Sequence, residues 1–413
     1  MTGAAPARVV VTGMGVVSSI ALGVTEYLSA LRAGRCGAAP VSLFDTSGFA
    51  HANGHQVADY DYAARLRRTD PAEWGRAALF AATAARMAVD DAHLSDRALQ
   101  QRQGLVSIGT TDGGSHELDL LVAQEIAGGH DAMDGRLVRQ VPAGGLSVAV
   151  ARELGLTRVE AMTVATACSA GNHAIGDGLD ALRSGEVEYA LCGGADALCR
   201  RNFTGFYRLG LVAPDRCRPF DAERAGLLTG EGAGVLLLEE REAARARGAR
   251  IHAEVLGYAT NCDAYHQLTP NQAGIRRCMR LALDNARVDP ADVDLISAHG
   301  TGTRTNDAVE CGAIAEVFGG SPPPTVGLKG MLGHTMGAAS ALAGIASVLA
   351  IGHGFIPPTV NHGRTDPECA VDCVPNTAVA ADPRVVQNNG FAFAGNNAVV
   401  VFGRDRRSGR DAA

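Results

Sequence analysis

The chain has 413 residues, 46% hydrophobic and 20% charged, which is enough for a core larger than that of one small domain. A net charge of −7 gives no general footprint for nucleic acid, and no stretch has the roughly 18 uninterrupted apolar residues of a membrane span. The ten cysteines lack the CxxC spacing of zinc or redox sites, and no targeting segment precedes the first strand-like run, so we expect a reduced, cytoplasmic protein.

In chain order, short apolar strands alternate with longer helical patterns. The first part predicts strands at residues 8–17, 104–110, 161–166, 189–196 and 232–240, with a helix at 75–92 between the first two. After about residue 250 the pattern restarts, with strands at 251–260, 293–300, 325–328 and 397–403 and helices at 273–286 and 337–351. Apolar strands that alternate with helices predict a layered α/β architecture.

The two parts of the chain resemble each other. In the first, a strand leads through "ACSAG" into a helix, and in the second a strand leads through "GHTMGAASA" into a helix. We therefore predict two related α/β halves, at residues 1–250 and 251–413.

Cys168 stands between a predicted strand and a predicted helix, in "TVATACSAGNHAIGDG". The free N–H groups and positive dipole end of a helix N-terminus lower a thiol pKa, and small neighbours let a substrate carbonyl approach. A tight turn between strand and helix would expose the sulfur as a nucleophile. The alternative is a buried cysteine that acts as a small hydrophobic residue, and the local sequence leaves both interpretations open.

Two histidines lie in similar glycine-rich turns. His299 follows a predicted strand in "SAHGTGTRTND", and His334 precedes a helix of small residues in "GLKGMLGHTMGAAS". A single histidine is more often structural than catalytic. A thiol and two imidazoles at the ends of strands, however, suit acyl transfer followed by a carbanion step.

Six blocks of the sequence together resemble the β-ketoacyl-acyl carrier protein synthases of the thiolase fold. They are "VVVTGMGVVSSIALG", "ATACSAG", "RPFDAERAGLLTGEGAGVLLLEE", "AHGTGTRTNDAVE", "GLKGMLGHTMGAAS" and "GFAFAGNNAVVVF". The resemblance implies a five-layered αβαβα fold of two pseudo-repeated halves, usually dimeric. It also implies a reaction in which a cysteine takes an acyl group from a carrier protein and a decarboxylated malonyl unit then attacks that group.

The resemblance implies a role for each matching residue at the reacting atoms. Cys168 would be the nucleophile, and His299 and His334 would donate hydrogen bonds to the malonyl thioester oxygen. The backbone N–H groups of Cys168 and Phe393 would form a second oxyanion hole over the acyl carbonyl, with Phe393 also gating the acyl pocket.

Supporting residues are implied in the same way. Lys329 would fix His334, and Glu310 would organise the network, although a surface cation and a solvated helix face are the alternatives from the residues alone. Thr301 and Thr303 match positions that hydrogen-bond the pantetheine arm.

Basic residues match the family's docking positions for the acidic acyl carrier protein. They are Arg67 and Arg68 and, because local lengths differ, more weakly Arg208; an ordinary solvated basic turn is the alternative. The family implies no cofactor and no metal, because the substrates are carried on the phosphopantetheine of the carrier.

Two loops depart from the family's pattern. "FAFAG" has alanines where glycines are common, so Ala392 and Ala394 should restrict the backbone around Phe393. "GTTDGG" places Thr111 and Asp112 beside the expected acyl pocket, where a carboxylate would favour a polar or unsaturated chain. The alternative is that Asp112 caps a turn and points elsewhere.

The expected function is therefore decarboxylative condensation in type II polyketide, polyene or other specialised biosynthesis. Housekeeping fatty acid elongation and acyl transfer without extension are the alternatives among enzymes. A non-catalytic chain-length factor is disfavoured because Cys168, His299 and His334 are all present. The partners would be an acyl carrier protein and either a second copy of the chain or a chain-length-factor-like homologue, with no nucleic acid and no membrane.

Overall fold

The computed structural model describes residues 6–58, 60–62 and 64–405. Within them the strands are β1 Val9–Ser18, β2 Ala21–Leu22, β3 Ala39–Pro40, β4 Asn53–Gly54, β5 Gly104–Gly109, β6 Val159–Val164, β7 Tyr189–Asp196, β8 Gly232–Glu240, β9 Ala253–Cys262, β10 Leu295–Ser297, β11 Thr325–Val326, β12 Phe355–Ile356, β13 Val379–Ala380, β14 Val385–Phe391 and β15 Asn396–Gly403. The helices are α1 Val24–Ala33, α2 Arg76–Asp91, α3 Asp96–Gln100, α4 Ser115–Gly128, α5 Gly135–Gln140, α6 Gly145–Leu154, α7 Ala170–Ser184, α8 Arg200–Arg208, α9 Arg241–Ala246, α10 Gln272–Ala286, α11 Arg304–Phe318, α12 Lys329–Leu332 and α13 Ala339–His353.

The main sheet consists of two five-stranded units with the same topology. One has the order β6-β5-β7-β8-β1, and the other has the order β11-β10-β14-β15-β9. In each unit the first three strands are parallel, and the fourth is antiparallel to both of its neighbours. The two units join where β1 pairs antiparallel with β9, from Val9 opposite Val255 to Val11 opposite Ala253. The repeated order shows that the chain is built from two pseudo-repeated halves.

Helices cover the sheet units in three layers. Helices α7 and α13 contact each other and strands of both units, so they form the central layer. Helices α2 and α6 pack on the outer face of the first unit, and α10 and α11 pack together outside the second. This arrangement is the five-layered αβαβα fold of the thiolase-like proteins, as the sequence predicted.

The central helices approach each other closely because small residues line their contact. A Cβ added to Gly171 would lie 2.8 Å from the Ala341 nitrogen and 2.9 Å from the Ser340 Oγ. The Ser340 hydroxyl accepts the N–H of Asn172 at 3.0 Å. The close contact fixes the N-terminal ends of both helices, where the catalytic candidates lie.

The segment Met336–His353 is long and apolar enough to cross a membrane by length and composition, with a mean hydropathy of 1.5. In the fold it includes α13, and 89% of it is buried. The segment is therefore a buried core helix of the fold.

Two predictions about the sheet need correction. The apolar segment at residues 161–166 predicts a buried strand. The strand there is β6, which is an edge strand of the sheet and is partly exposed. Strand β14 was missed because its centre is polar. Gln387, Asn388 and Asn389 are all buried there, and each forms a side-chain hydrogen bond within the core.

Candidate active site

A cavity of about 590 Å³ connects the protein surface with the sulfur of Cys168. Six of the residues predicted from the sequence line it, namely Cys168, His299, Thr301, Thr303, His334 and Phe393. They come from four separated parts of the chain, and the fold brings them to one place where the two halves meet.

Cys168 lies in a strained turn between β6 and α7. The turn is a short 3-10 helix, Ala167–Ser169, in which Ala167 has a positive φ of 53°. Left-handed backbone is unfavourable for alanine, and such strain concentrates at functional sites. The backbone N–H groups of Cys168 and Phe393 lie beside the Cys168 sulfur, and both act to lower the pKa of this thiol. These are the two groups that the family resemblance implies for an oxyanion hole, and that role stays a prediction.

The prediction of a lowered thiol pKa is not met. Burial raises the pKa of Cys168 to about 12, and the charge of Lys329 opposes the rise only in part. The sequence argument considered the helix terminus but not the loss of water around a side chain that is 5% exposed. The resting cysteine is a neutral thiol.

The backbone fixes the proton position on His334. The N–H of Met336 donates to His334 Nδ1 at 3.1 Å. Because Nδ1 is the acceptor, the neutral ring carries its proton on Nε2. Burial holds the pKa of His334 well below its ordinary value, with a further lowering by Lys329. His334 is therefore a neutral N–H donor.

His299 is held by a lysine and a glutamate. The Lys329 ammonium hydrogen-bonds the His299 carbonyl oxygen and lies 3.3 Å from its Nδ1. The Glu310 carboxylate accepts the backbone N–H groups of His299 and Gly300, each at 2.8 Å. The expectation that Lys329 fixes His334 is thus corrected, because its direct hydrogen bonds are to His299.

Burial also holds the pKa of His299 well below its ordinary value, and Lys329 and His334 lower it further. The Lys329 ammonium occupies the Nδ1 side, which leaves the Nε2 proton for the cavity. Nitrogen atoms of the two rings and the Cys168 sulfur lie within 4.8 Å of one another, and the rings meet at 82°. Two neutral donors therefore converge beside one thiol.

The same three side chains carry atoms that could ligate a metal. A ligating Nε2 needs a free lone pair, yet the Met336 N–H on His334 Nδ1 keeps the proton on Nε2. The arrangement therefore suits hydrogen-bond donation to an oxygen atom better than metal binding.

Glu310 is fully buried, and burial raises its pKa. Asn389, which the sequence did not single out, donates from Nδ2 to Glu310 Oε1 at 3.0 Å. Glu310 therefore sits inside the core as a clamp on the His299 loop, and the alternative of a solvated helix face is wrong.

Thr301 and Thr303 are buried against the cavity with their hydroxyls 2.8 Å apart. Both follow the His299 loop and line the route between the surface and Cys168.

Thr111 and Asp112 are not among the described residues that line this cavity. The Asp112 carboxylate pairs with Arg201 at 2.8 Å and with the amide of Asn202. The hypothesis of a carboxylate in the acyl pocket is therefore unsupported. Asp112 points elsewhere, as the alternative expected, but its carboxylate pairs with Arg201 and Asn202 and does not cap a turn.

Comparison with known families decides the identity of the chain. The N-terminal domain of the β-ketoacyl synthases matches residues 7–244, and their C-terminal domain matches residues 252–362. The chain belongs to the β-ketoacyl synthase family.

Relatives extend over nearly the full length of this β-ketoacyl synthase. The 3-oxoacyl-[acyl-carrier-protein] synthase 2 of Synechocystis sp. is 35% identical, over 96% of this chain and 97% of its own length. A chain of the ishigamide ketosynthase/chain length factor structure is 56% identical with a TM-score of 0.96, covering 97% of this chain and 100% of that one. A type II polyketide ketosynthase structure, in complex with its acyl-carrier protein and bound to the hexaketide, is 30% identical with a TM-score of 0.89 and the same coverage.

The arginines expected at the docking surface lie in two different places on this synthase. Arg67 pairs with Asp90 at 2.8 Å and Arg68 approaches Asp96 at 3.5 Å, and neither lines the cavity among the described residues. Arg208 is exposed at the end of α8 and directly precedes Leu209, which lines the cavity. The residue with the weaker sequence match is thus the one beside the cavity.

Proposed function

We propose that this chain condenses an acyl group, held as a thioester on Cys168, with a malonyl unit that loses CO₂, to give a β-ketoacyl thioester on an acyl carrier protein. The observation that carries the proposal is the convergence of one thiol and two neutral imidazole donors within 4.8 Å at the inner end of the cavity. Acyl transfer alone needs a nucleophile and one oxyanion site. The second pair of donors is what a carbanion step requires.

In the first half-reaction the Cys168 sulfur attacks the acyl thioester carbon. The oxyanion of the tetrahedral intermediate accepts hydrogen bonds from the N–H groups of Cys168 and Phe393. Removal of one such donor lowers kcat about 10²–10³-fold in comparable sites. The carbon–sulfur bond to the pantetheine breaks, and its sulfur receives the proton that Cys168 loses.

In the second half-reaction a malonyl thioester occupies the same cavity. Its thioester oxygen accepts the Nε2 protons of His299 and His334, and the bond to the carboxylate breaks to give CO₂ and an enolate. The enolate carbon attacks the acyl carbonyl on Cys168, and the sulfur leaves as a thiolate that regains a proton from solvent. Two fixed donors stabilise the enolate more than the uncharged thioester, which is the condition for acceleration.

A specialised polyketide-type pathway is the setting that we favour. Its support is the 56% identity to the ishigamide ketosynthase/chain length factor chain, against 35% to the cyanobacterial 3-oxoacyl synthase. Fatty acid elongation is the second candidate. We further propose a cytoplasmic location, and no resident cofactor or metal because the substrates arrive on the carrier's phosphopantetheine.

A carrier protein would reach Cys168 through the mouth of the cavity. Arg208 and the cavity-lining Arg304 are both exposed, and the described residues give neither side chain a hydrogen-bond partner. Thr301 and Thr303 would then hydrogen-bond the amides of the pantetheine arm. We expect Arg208→Glu to lower kcat/KM for carrier-bound substrates and to leave free pantetheine substrates unaffected.

The open edge of β6 is the surface that we assign to a second ketosynthase-like chain. An exposed strand edge invites pairing, and α6 is tied to β6 through Ser147 and Thr163 at 3.0 Å. Val148 on α6, which packs on β6, is an exposed apolar side chain. Helices α4 and α5, which contact each other, expose four more: Leu120, Val122, Ile126 and Val138. The occupant is a second copy or a chain-length-factor-like homologue, which light scattering with and without the homologue distinguishes.

The proposed function is tested by intact-protein mass after the chain meets a panel of acyl-carrier thioesters. We expect acylation that is lost in Cys168→Ala and kept in Cys36→Ser. Cys36 lies outside the site, and the serine hydroxyl can replace its thiol as the donor to the Gly330 oxygen. Addition of malonyl carrier should then release a product that is two carbons longer. Acylation without extension, in the presence of the homologue, would contradict the condensation step.

A further inference from the structure

The turn before α13 repeats the geometry of the turn before α7. Met336 has a φ of 51°, and Ala167 has a φ of 53°. Each residue begins a three-residue 3-10 helix that leads into a helix of 15 residues. In this register Gly337 in the second half corresponds to Cys168 in the first.

The two turns differ in what their central N–H group meets. The N–H of Cys168 is aimed at its own sulfur, at the inner end of an open cavity. The N–H of Gly337 donates instead to Asp196 Oδ2 at 2.6 Å. Asp196 is the last residue of β7 and is fully buried, so a carboxylate oxygen of the protein occupies the place that an oxyanion would take in the first half.

Each carboxylate oxygen of Asp196 accepts two hydrogen bonds. Its Oδ1 accepts the Thr110 hydroxyl at 2.6 Å and the Asp112 N–H at 3.1 Å. Its Oδ2 accepts the Thr111 N–H at 2.8 Å as well as the Gly337 N–H. One side chain thus ties the loop after β5 to the turn that follows His334.

The same turn sets the proton position on His334. The Met336 N–H donates to His334 Nδ1 in a turn that is held at both ends, and Met336 has in this turn a left-handed conformation that a methionine does not favour by itself. Asp196 holds the next N–H along the chain. Release of that N–H would let Met336 relax to an ordinary conformation and free His334 Nδ1.

We propose that Asp196 is a positioning residue that keeps His334 in its Nε2-protonated form and in the orientation that decarboxylation needs. The proposal rests on the proposed function for its kinetic consequence, but its structural claim concerns His334 alone. Asp196 is not among the described residues that line the cavity, and it acts on His334 through Gly337 and Met336. Its charge also contributes to the raised pKa of Cys168, so its removal should not slow acylation.

The kinetic test separates the two half-reactions in Asp196→Ala. We expect CO₂ release from malonyl carrier to fall about 10²-fold, the cost of misplacing a fixed donor, while acylation of Cys168 changes by less than about threefold. Asp196→Asn can keep its carbonyl oxygen on Gly337 and Thr111 and turn its amide to the Thr110 hydroxyl. This variant should therefore retain decarboxylation within about fivefold.

The structural test is the ¹⁵N spectrum of protein with labelled histidine rings, in which His334 is assigned by its loss in His334→Gln. We expect a protonated Nε2 in the wild type and in Asp196→Asn, and a mixture of tautomers in Asp196→Ala. Circular dichroism verifies the fold, and Asp196→Ser replaces Asp196→Ala if the latter does not fold.

An unchanged His334 tautomer, or equal loss of acylation and decarboxylation, would overturn the role of Asp196. If the wild type neither acylates nor decarboxylates any substrate, the proposed function fails. The spectrum then still decides whether Asp196 controls His334.

Discussion

The Cys168 turn and the Gly337 turn have the same backbone but opposite chemistry. Both follow a strained residue and start a central helix, and both lie against the end of a strand from the other half. The first has a reactive side chain and faces a cavity, whereas the second has no side chain and holds an internal carboxylate. Duplication of a fold thus supplies two similar turns, and the side chains around them decide which one becomes a nucleophile site.

The halves also divide the reaction between them. The nucleophile comes from the first half, and both imidazole donors come from the second, carried by the loops after β10 and α12. This division predicts that changes at the two imidazoles damage decarboxylation and spare acylation, whereas Phe393, also from the second half, serves acylation through its N–H.

The largest expected effect is therefore at the two histidines. His299→Ala and His334→Ala should each reduce CO₂ release from malonyl carrier about 10²–10³-fold, because each removes a fixed donor from the enolate oxygen. Acylation of Cys168 should change by only a few fold, as measured by intact mass. His353→Gln, at the far end of α13, is the matched control.

The double variant sharpens this test. Donors that share one oxygen act as a unit, so the double loss should be smaller than the product of the single losses. Fully multiplicative losses would mean that the two rings serve different atoms.

The next effect concerns the packing of the second turn. A Cβ on Gly337 would lie 2.6 Å from the Thr110 carbonyl carbon and 2.8 Å from Asp196 Oδ2. Gly337→Ala should therefore lower the free energy of unfolding by about 1–3 kcal/mol, as overpacking does in other cores. Denaturant titration measures the change.

Gly205 in α8 provides the comparison for this substitution, since a Cβ there meets nothing within 4 Å. Gly205→Ala should leave stability unchanged or raise it by up to about 1 kcal/mol. Equal losses in both variants would show that the second turn is not closely packed.

The sequence predicted most of the strands and helices around these two turns, because the residue patterns that indicate them are local. Runs such as "YALCGGAD" and "GAGVLLLEE" are apolar except at their carboxyl ends and are central strands, and the small residues after Cys168 and His334 mark helices. The family resemblance then named the nucleophile and its two donors.

What the sequence did not predict depends on contacts between distant segments. Strand β14 was missed because Asn388 is polar, and its partner Asn172 lies 216 residues away along the chain. The rise in the Cys168 pKa and the hydrogen bond of Lys329 to His299 likewise arise only after burial. Asp196 is an ionisable residue at the end of an apolar strand, and that position in the sequence could have signalled a role.

A third, smaller effect is a pH dependence of the free energy of unfolding, caused by a buried histidine next to the loop that precedes the second turn. The His55 ring packs against Gly333, and burial lowers the pKa of His55 to about 3. The unfolded chain binds a proton near pH 6.5, so it holds more protons than the native state between pH 3 and 6.5. The free energy of unfolding should therefore fall as the pH drops below about 6.5, and at pH 5 it should be about 2 kcal/mol lower than at pH 7.

The measurement is the unfolding free energy at pH 7 and pH 5 for the wild type and His55→Gln. The variant should lose about 2 kcal/mol less between the two pH values. His130→Gln, at a histidine whose side chain is 86% exposed, should behave as the wild type. The same pH dependence in all three proteins would contradict the assignment to His55.

The smallest expected effect is in the loop at residues 391–395, the gate loop. Its Phe393 N–H is the second donor of the proposed oxyanion hole beside Cys168. Ala394 has a φ of 60°, where alanine is strained by about 1 kcal/mol, whereas Ala392 has a φ of −122° in ordinary extended backbone. Ala394→Gly should therefore raise stability by less than about 1 kcal/mol, and Ala392→Gly should lower it by about 0.5–1 kcal/mol. Thermal unfolding of the two variants resolves the opposite signs. Two shifts of the same sign would mean that the strain at Ala394 is absorbed elsewhere, and the restricted backbone would no longer account for a stiff gate over Cys168.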